Sequence, residues 1–480
     1  MTSFPQYDHY VLVSLDTLRS DAIAANPLKL WPTTHAGQKP PSTPLLDRMV
    51  AEGTFLPNAI SAAPYTSAAH ATLLTGRWPH RHGVFEFFNR RLRGETLFTW
   101  ARRRGLRTYF KSDFPIILGE HLGFTDDVDE YVVEDDDEYF SRLDTTSPSL
   151  SFLHFGSLHI PYGFHNLRYG GDAYRQRVAE LSAGIPAGGA ALGDRLVETY
   201  RSGEDLELLL AYKRIVLHHY ESGDYETLFS LYLEGVETFM RTRFEPFMER
   251  LMERMQGRRV LVVLFGDHGE EYDASSYGHF NTMAEGVTRV PVLFWGPGVS
   301  AGTHRERIRT VDVAPTIGAV LGGVQERLDG VPLVETVFGG AAPRPREAYV
   351  QAHVSDTAQF VDFQQKLLES GRKPGSLPHV CYAEAVYDGD IKLSRQNYVY
   401  TGGPVGTWSL APCEPRITVE RFDTDLVPRR DEWNDEAARA LALLDAYGGH
   451  FEAGPDGSGD GDPVVTDEIR SQLRNMGYRI

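Results

Sequence analysis

Two cysteines, Cys381 and Cys413, are all that the 480 residues carry. That argues against a disulfide scaffold and is ordinary for a reducing compartment. No apolar run is long enough to span a bilayer. The N-terminus leaves no room for a signal peptide, because "HYVLVSLD" already reads as a core strand. Both features point to a soluble, cytoplasmic protein. Basic residues are in short supply too: 48 Lys and Arg stand against 66 Asp and Glu, giving a formal charge of −18. This balance argues against nucleic acid or an anionic membrane as a non-specific partner, so any anionic substrate must be attracted locally. The acidic run "DDVDEYVVEDDDEY" (126–139) reads as a solvated face.

What is present is the composition of a folded protein, 41% hydrophobic and 24% charged. "YVLVSLD" (10–16) and "RRVLVVLFGD" (258–267) are unbroken apolar, β-branched runs that stop at an aspartate, as central strands of a parallel sheet do. "SLSFLHFGSLH" (149–159) and "VPVLFWGPG" (290–298) read as further strands. Helical patterns separate them at 42–53, 95–105, 231–255 and 311–322, and this alternation implies an α/β layer fold. Residues 163–230 interrupt the rhythm with a polar, mainly helical stretch, a natural place for a lid or specificity element. After "AAPRPRE" (341–347) the pattern weakens to short β-like pieces, then a Gly/Asp-rich loop, then a last helix "VTDEIRSQLRNMGY" (465–478). The expected organisation is a catalytic domain over 1–340, with 163–230 inserted, and a C-terminal subdomain over 341–480 that completes the fold.

Ligands of open α/β sheets bind beyond the carboxyl ends of the strands, so Asp16 and Asp267 are well placed to act. His268 follows at once, and a carboxylate beside an imidazole suits Zn²⁺ or Mn²⁺ better than a Ca²⁺ cage of oxygens alone. The plainer reading is that each Asp caps a loop or helix. Thr66 precedes "SAAHATLLTG", a run of small residues and leucines that should form a helix. As an N-cap its hydroxyl would accept from a backbone N–H two or three residues on. The same helix end offers free amides to a tetrahedral anion, and a hydroxyl held there on a metal can attack phosphorus.

These pieces, in this order, resemble the alkaline phosphatase superfamily in its sulfatase-like branch. "VLVSLDTLRSD" is similar to the first metal-binding strand, "PSTPLLDRMVAEGTFLPNAIS" to the helix that follows, and "TSAAHATLLTGRWPHRHGV" to the nucleophile helix. "FLHFGSLHIPYG", "LFGDHGEEY", "YGHFNTMAEGVTRVPVLFWGPG" and "TVDVAPTIGAVLGG" continue the match. The resemblance implies a large mixed, mostly parallel sheet sandwiched by helices, with a smaller C-terminal α+β subdomain. True sulfatases carry Cys or Ser, then Pro and Arg two and four residues later, matured to formylglycine. Here Thr66, Ala68 and His70 stand at those places, which excludes formylglycine; "CEPR" (413–416) has its arginine one residue too early. A Thr nucleophile resembles instead the phosphodiesterase, phosphatase and phosphotransferase relatives.

The resemblance assigns metal ligation to Asp16, Asp267 and His268, with Thr66 bridging metal and substrate as the nucleophile. His159 would contact the transferring group or protonate the leaving group, His70 and Lys111 would contact substrate, and His279 would be another substrate oxyanion contact or a ligand of a second metal. Ser157 and Thr17 stand where the family often has aspartates, implying one divalent metal site, Zn or Mn, with a second left open. His154 and His165 read as satisfied histidines, Arg77, His80 and His82 as braces of a turn, and Asp312 as a helix cap. The implied activity is hydrolysis of a soluble, small-molecule phosphoester through a phosphothreonine. Transfer of a phospho group, sulfuric ester hydrolysis without formylglycine, and a non-catalytic binding role are the alternatives. Homo-oligomers are left open.

Overall fold

Nine strands share one sheet in the computed structural model, which describes residues 4–31, 34–85, 91–115, 117–186, 203–274, 276–279, 282–324, 326–354, 380–402 and 408–452. They are β1 (His9–Leu15), β2 (Thr54–Ile60), β3 (Arg107–Ser112), β4 (Glu130–Val133), β5 (Ser149–Phe155), β6 (Val260–Phe265), β9 (Arg289–Trp295), β10 (Gly302–Thr303) and β11 (Ile308–Arg309). A separate hairpin holds β7 (Glu271–Asp273) and β8 (Ser276–Gly278). The order is β10-β2-β9-β6-β1-β5-β3-β4, with β11 also on β2. β9 pairs antiparallel with both β2 and β6, and every other pairing in this sheet is parallel.

Alternation along the strands feeds two cores. Val11, Val13, Leu15 and Phe155 enter one cluster while Tyr10, Leu12, Leu150 and Phe152 enter the other. Strands buried on both faces need apolar residues at every position, which is why β1, β5 and β6 read as unbroken hydrophobic runs. The predicted helices form at Pro44–Glu52, Leu97–Arg103 and Val313–Val320, the last preceded by a 3-10 turn at Thr310–Asp312. The Asp312 side chain pairs with Arg309 and accepts the Val331 N–H instead of capping the helix after it.

The predicted 231–255 helix is interrupted. An α-helix from Tyr225 to Phe239 passes through a π-helical turn, Met240–Phe244, into a second α-helix, Glu245–Arg254. Before it, Leu167–Ala183 and Gly203–Glu221 are helical.

A second sheet is antiparallel throughout: β12 (Ala348–Val354), β13 (Val380–Asp388), β14 (Ile391–Gly402), β15 (Trp408–Phe422) and β16 (Pro428–Arg430), in sequence order. Helix Asp435–Glu452 covers one face through Ala437, Ala440 and Leu444. The other face packs Ala383, Ala385 and Tyr387 with Ile60 and Met283. The predicted helix over 465–478 lies outside the described residues. Among the described residues no helix is long and apolar enough to cross a membrane. The fold is therefore α/β, a mixed and mostly parallel sheet between helices, with a smaller C-terminal α+β part.

Candidate active site

β1 and β6 are parallel neighbours, so the residues just past their carboxyl ends meet. Asp16, Asp267 and His268 are all fully buried there, and one ligand atom from each lies within 4.8 Å of the others. His268 Nε2 sits 3.6 Å from Asp16 Oδ1 and 3.5 Å from Asp267 Oδ2. Its Nδ1 lies 2.9 Å from the Gly269 carbonyl, an acceptor only, so Nδ1 carries the proton and Nε2 presents its lone pair to the carboxylates in the neutral ring. Thr17, between strand and loop, holds φ at 60°, a left-handed conformation that strains a β-branched residue. Its N–H donates to Asp267 Oδ1 at 3.3 Å, and its carbonyl accepts from Tyr232 Oη at 2.9 Å.

The expected helix runs Thr66–Thr75, and every residue in it is buried. Thr66 is its first residue; Tyr65 occupies the cap position, and no side chain caps this end. The Thr66 hydroxyl instead lies 3.3 Å from Asp16 Oδ2 and 3.3 Å from His268 Nε2. Gly76 closes the helix at φ 64°, where a Cβ would come within 2.8 Å of Pro315 Cδ. His70, one turn on from Thr66, has Nδ1 2.8 Å from the Thr66 carbonyl and 3.4 Å from Asp267 Oδ2, with Nε2 2.7 Å from Ser14 Oγ. Both ring nitrogens are occupied beneath the helix, so the ring braces Thr66 from within the protein. Burial, then the neighbouring His154, push its pKa down to about 3, which keeps it neutral.

His154, read from sequence as a satisfied histidine, belongs to the cluster: Nδ1 accepts the Asp113 N–H at 3.3 Å, so Nε2 carries the hydrogen that reaches Asp16 Oδ2 at 3.1 Å. Lys111 is fully buried inside a charge network. Its ammonium is 2.8 Å from Asp113 and 2.9 Å from Asp136. Arg243 grips the same two carboxylates, at 2.7 Å and 2.9 Å, and donates to Ser157 Oγ at 3.0 Å. Nothing in the sequence flagged Arg243, which sits in the π-helical turn. His279 and His159 do approach the cluster: the His279 ring lies 4.5 Å from that of His268 and 5.4 Å from that of His159. Glu270 holds His279 Nδ1 at 2.9 Å, a partner visible in "DHGEEY" only once the loop is folded. His165 pairs with Glu134 at 2.8 Å, and His82 bonds Thr72 of the Thr66–Thr75 helix at 3.0 Å.

The electrostatics call for a cation. Asp16 Oδ1 and Asp267 Oδ2 are buried and have no hydrogen-bond partner among the described residues. Burial and the adjacent Asp16 charge push the Asp267 carboxyl up to about 6. Burial would raise Asp16 as well, but the hydrogen bond from His154 works against it, and that carboxyl is held well below its usual range. Two buried carboxylates aimed at one point, with an imidazole lone pair beside them, fit a divalent metal ion.

Fold and site together define an α/β protein with a buried Asp-Asp-His cluster suited to a metal ion and a helix-borne threonine hydroxyl at the carboxyl edge of its sheet. Residues 8–324 match the family model described as Sulfatase, and the chain belongs to that family. It is 33% identical to choline-sulfatase of Rhizobium meliloti (strain 1021) over 90 residues, 18% of each chain. It is 51% identical to human N-acetylgalactosamine-6-sulfatase over 49 residues, 10% of this chain and 9% of that protein. These matches thus span less than a fifth of either curated relative's length. Two solved structures share the fold across nearly the whole chain. BT4656 in complex with D-glucosamine-2-N,6-O-disulfate superposes with a TM-score of 0.60 at 15% identity, covering 95% of this chain and 100% of that one. The phosphonate monoester hydrolase of Silicibacter pomeroyi gives 0.58 at 14%, covering 94% and 96%.

Proposed function

We propose that the protein hydrolyses a small phosphoric ester through a covalent phosphothreonine at Thr66. The observation that carries this reading is the Thr66 hydroxyl, 3.3 Å from both Asp16 Oδ2 and His268 Nε2 at the uncapped start of a helix. A threonine cannot mature to formylglycine, so the attacking group is an ordinary hydroxyl. Phosphorus chemistry suits it, because the ester formed is resolved by a second in-line attack at the same phosphorus.

Asp16, Asp267 and His268 would hold the divalent cation, Zn or Mn by donor type, and when bound it supplies Lewis-acid neutralisation of charge at the reacting centre. Thr66 Oγ1 bonds to phosphorus as the P–O bond to the leaving alcohol breaks, and the hydroxyl proton passes to a neighbouring acceptor such as Asp16 Oδ2. The helix-start amides donate to the non-bridging oxygens. His159, partly exposed beside His279, gives its proton to the departing alkoxide, and water then releases phosphate from Thr66. The helices at 167–183 and 203–221 follow the His159 loop and are proposed to set substrate choice.

The test is an acid-quenched reaction with aryl phosphate mono- and diesters, followed by peptide mass analysis. A phosphoryl group on the Thr66 peptide is expected, and Thr66→Ala should stay folded while kcat falls at least about a thousandfold. An active Thr66→Ala protein with wild-type metal content would overturn the assignment. A second reading, sulfate ester hydrolysis, is favoured by the likeness to choline-sulfatase and N-acetylgalactosamine-6-sulfatase. Aryl sulfates in the same panel decide between the two.

A further inference from the structure

A second pocket lies away from the Asp16 cluster, between β9 and β11 of the first sheet and the C-terminal sheet. Its volume is about 210 Å³, and its wall includes Arg289, Arg305, Arg307, Tyr387 and Phe422. The Tyr387 and Phe422 rings stack at 5.9 Å with an interplanar angle of 9°. The Arg289 guanidinium lies 5.5 Å from the centre of the Phe422 ring and that of Arg307 5.4 Å from Tyr387. Two cations are thereby set side by side on one aromatic floor.

Their hydrogen bonds are incomplete. Arg289 is only 3% exposed, and its Nε and Nη1 have no hydrogen-bond partner among the described residues. Arg307 Nη1 is buried and unpartnered in the same way. Arg307 donates from Nη2 to the Gly389 carbonyl and makes no ion pair among the described residues. The carboxylate paired with Arg289 is oversubscribed: Glu285 takes Arg289 at 2.6 Å, Lys392 at 2.9 Å and the Tyr387 hydroxyl at 2.6 Å. Of the acids on the wall, Asp423 is engaged by Arg429 at 3.2 Å and Asp390 by Arg421 at 3.4 Å, while Glu306 adds one negative charge at the rim. Buried guanidinium donors left without acceptors cost free energy that a bound anion returns.

We infer that this pocket is a second ligand site, built to take a tetrahedral oxyanion, phosphate or sulfate, on Arg289 and Arg307, with Arg305 at its mouth. In a chain of formal charge −18 an anion is held only where arginines are gathered; here Arg289 shares Glu285 with Lys392, Arg305 lies 3.3 Å from Asp425, and Arg307 has no carboxylate partner among the described residues. The site also touches the candidate active site through the backbone. Arg289 is paired to Glu285 of the short helix Glu285–Thr288, and Val287 in that helix accepts the Gly269 N–H at 2.8 Å, next to His268.

The test uses the full chain with inorganic phosphate and inorganic sulfate as probes. Crystals soaked in selenate, a tetrahedral dianion with an anomalous signal, should show it between Arg289 and Arg307. Calorimetric titration of wild type against Arg307→Gln should show one binding event weakened at least tenfold, with ester turnover unchanged. Arg305→Gln, on an exposed side chain, keeps the proposal testable if Arg307→Gln fails to fold, and is expected to weaken the same event severalfold. Phosphate against sulfate in the two titrations tells which anion is preferred. No selenate in the pocket, or unchanged affinity for both anions in a folded variant, overturns the inference and leaves the arginines as clamps between the two sheets.

Discussion

Two buried groups of charge lie on either side of His154, and they are built on opposite principles. Lys111, Arg243, Asp113 and Asp136 carry two positive and two negative charges and satisfy one another at 2.7–2.9 Å. Asp16 and Asp267 face each other with no fixed cation beside them and keep an unpaired oxygen each. A balanced group is scaffold, because its internal bonds offset the desolvation of its charges. An unbalanced one is a site, because its missing charge must come from outside. His154 joins the two, taking the Asp113 N–H and giving its own to Asp16.

The comparison is broken most severely at Asp267. Asp267→Asn should abolish metal binding and lower turnover at least about a thousandfold, yet the metal-free variant should melt no lower than metal-free wild type, since one of two repelling carboxylates is gone. Elemental analysis and thermal melts check both halves, and a large loss of stability in the metal-free variant would mean the cluster is scaffold after all.

Arg243→Met tests the balanced group. Removing one partner of a buried pair leaves the others uncompensated, so denaturant titration should show a loss of about 3–5 kcal/mol. Metal content should be retained by whatever fraction stays folded. A neutral result would place the stabilisation elsewhere.

The smallest effect is in acid. Burial would raise the Asp136 carboxyl, but Lys111 and Arg243 outweigh it and bring it down to about 2. A folded pKa below the unfolded value means the contribution is whole above about pH 4 and is lost as pH falls through about 2. The loss should be on the order of 2 kcal/mol. Stability measured between pH 5 and pH 2 should fall less steeply in Asp136→Asn than in wild type.

How much of this was legible depended on whether a residue's role is set by its own element. Asp16 and Asp267 could be found because each ends an unbroken apolar run, and such runs place their last residue at the carboxyl edge of the sheet. Thr66 was ambiguous by nature, since a cap and a nucleophile both stand at a helix start; only the fold shows the hydroxyl turned to Asp16 and His268. Lys111 and Arg243 were not legible. One residue leaves β3, the other comes from a helical turn more than a hundred positions later, and no local pattern announces that they share two aspartates. His154 was hidden for the same reason: on β5 it has the look of a core residue, and its partner Asp16 stands just past the end of β1.

The pairing of β1 carries a consequence for how the chain is made. His9 bonds Ser149 across 140 positions, and Thr17 reaches Asp267 across 250. Contacts so distant in sequence form slowly, because a long loop must close before they return anything. During synthesis the strand that ends in Asp16 emerges early and waits, apolar and unpaired, until β5 and then β6 are delivered. The Asp16-Asp267-His268 cluster therefore cannot exist on a nascent chain that stops short of His268. The three side chains are all available only once more than half of the 480 residues have been made, since His268 is the last of them.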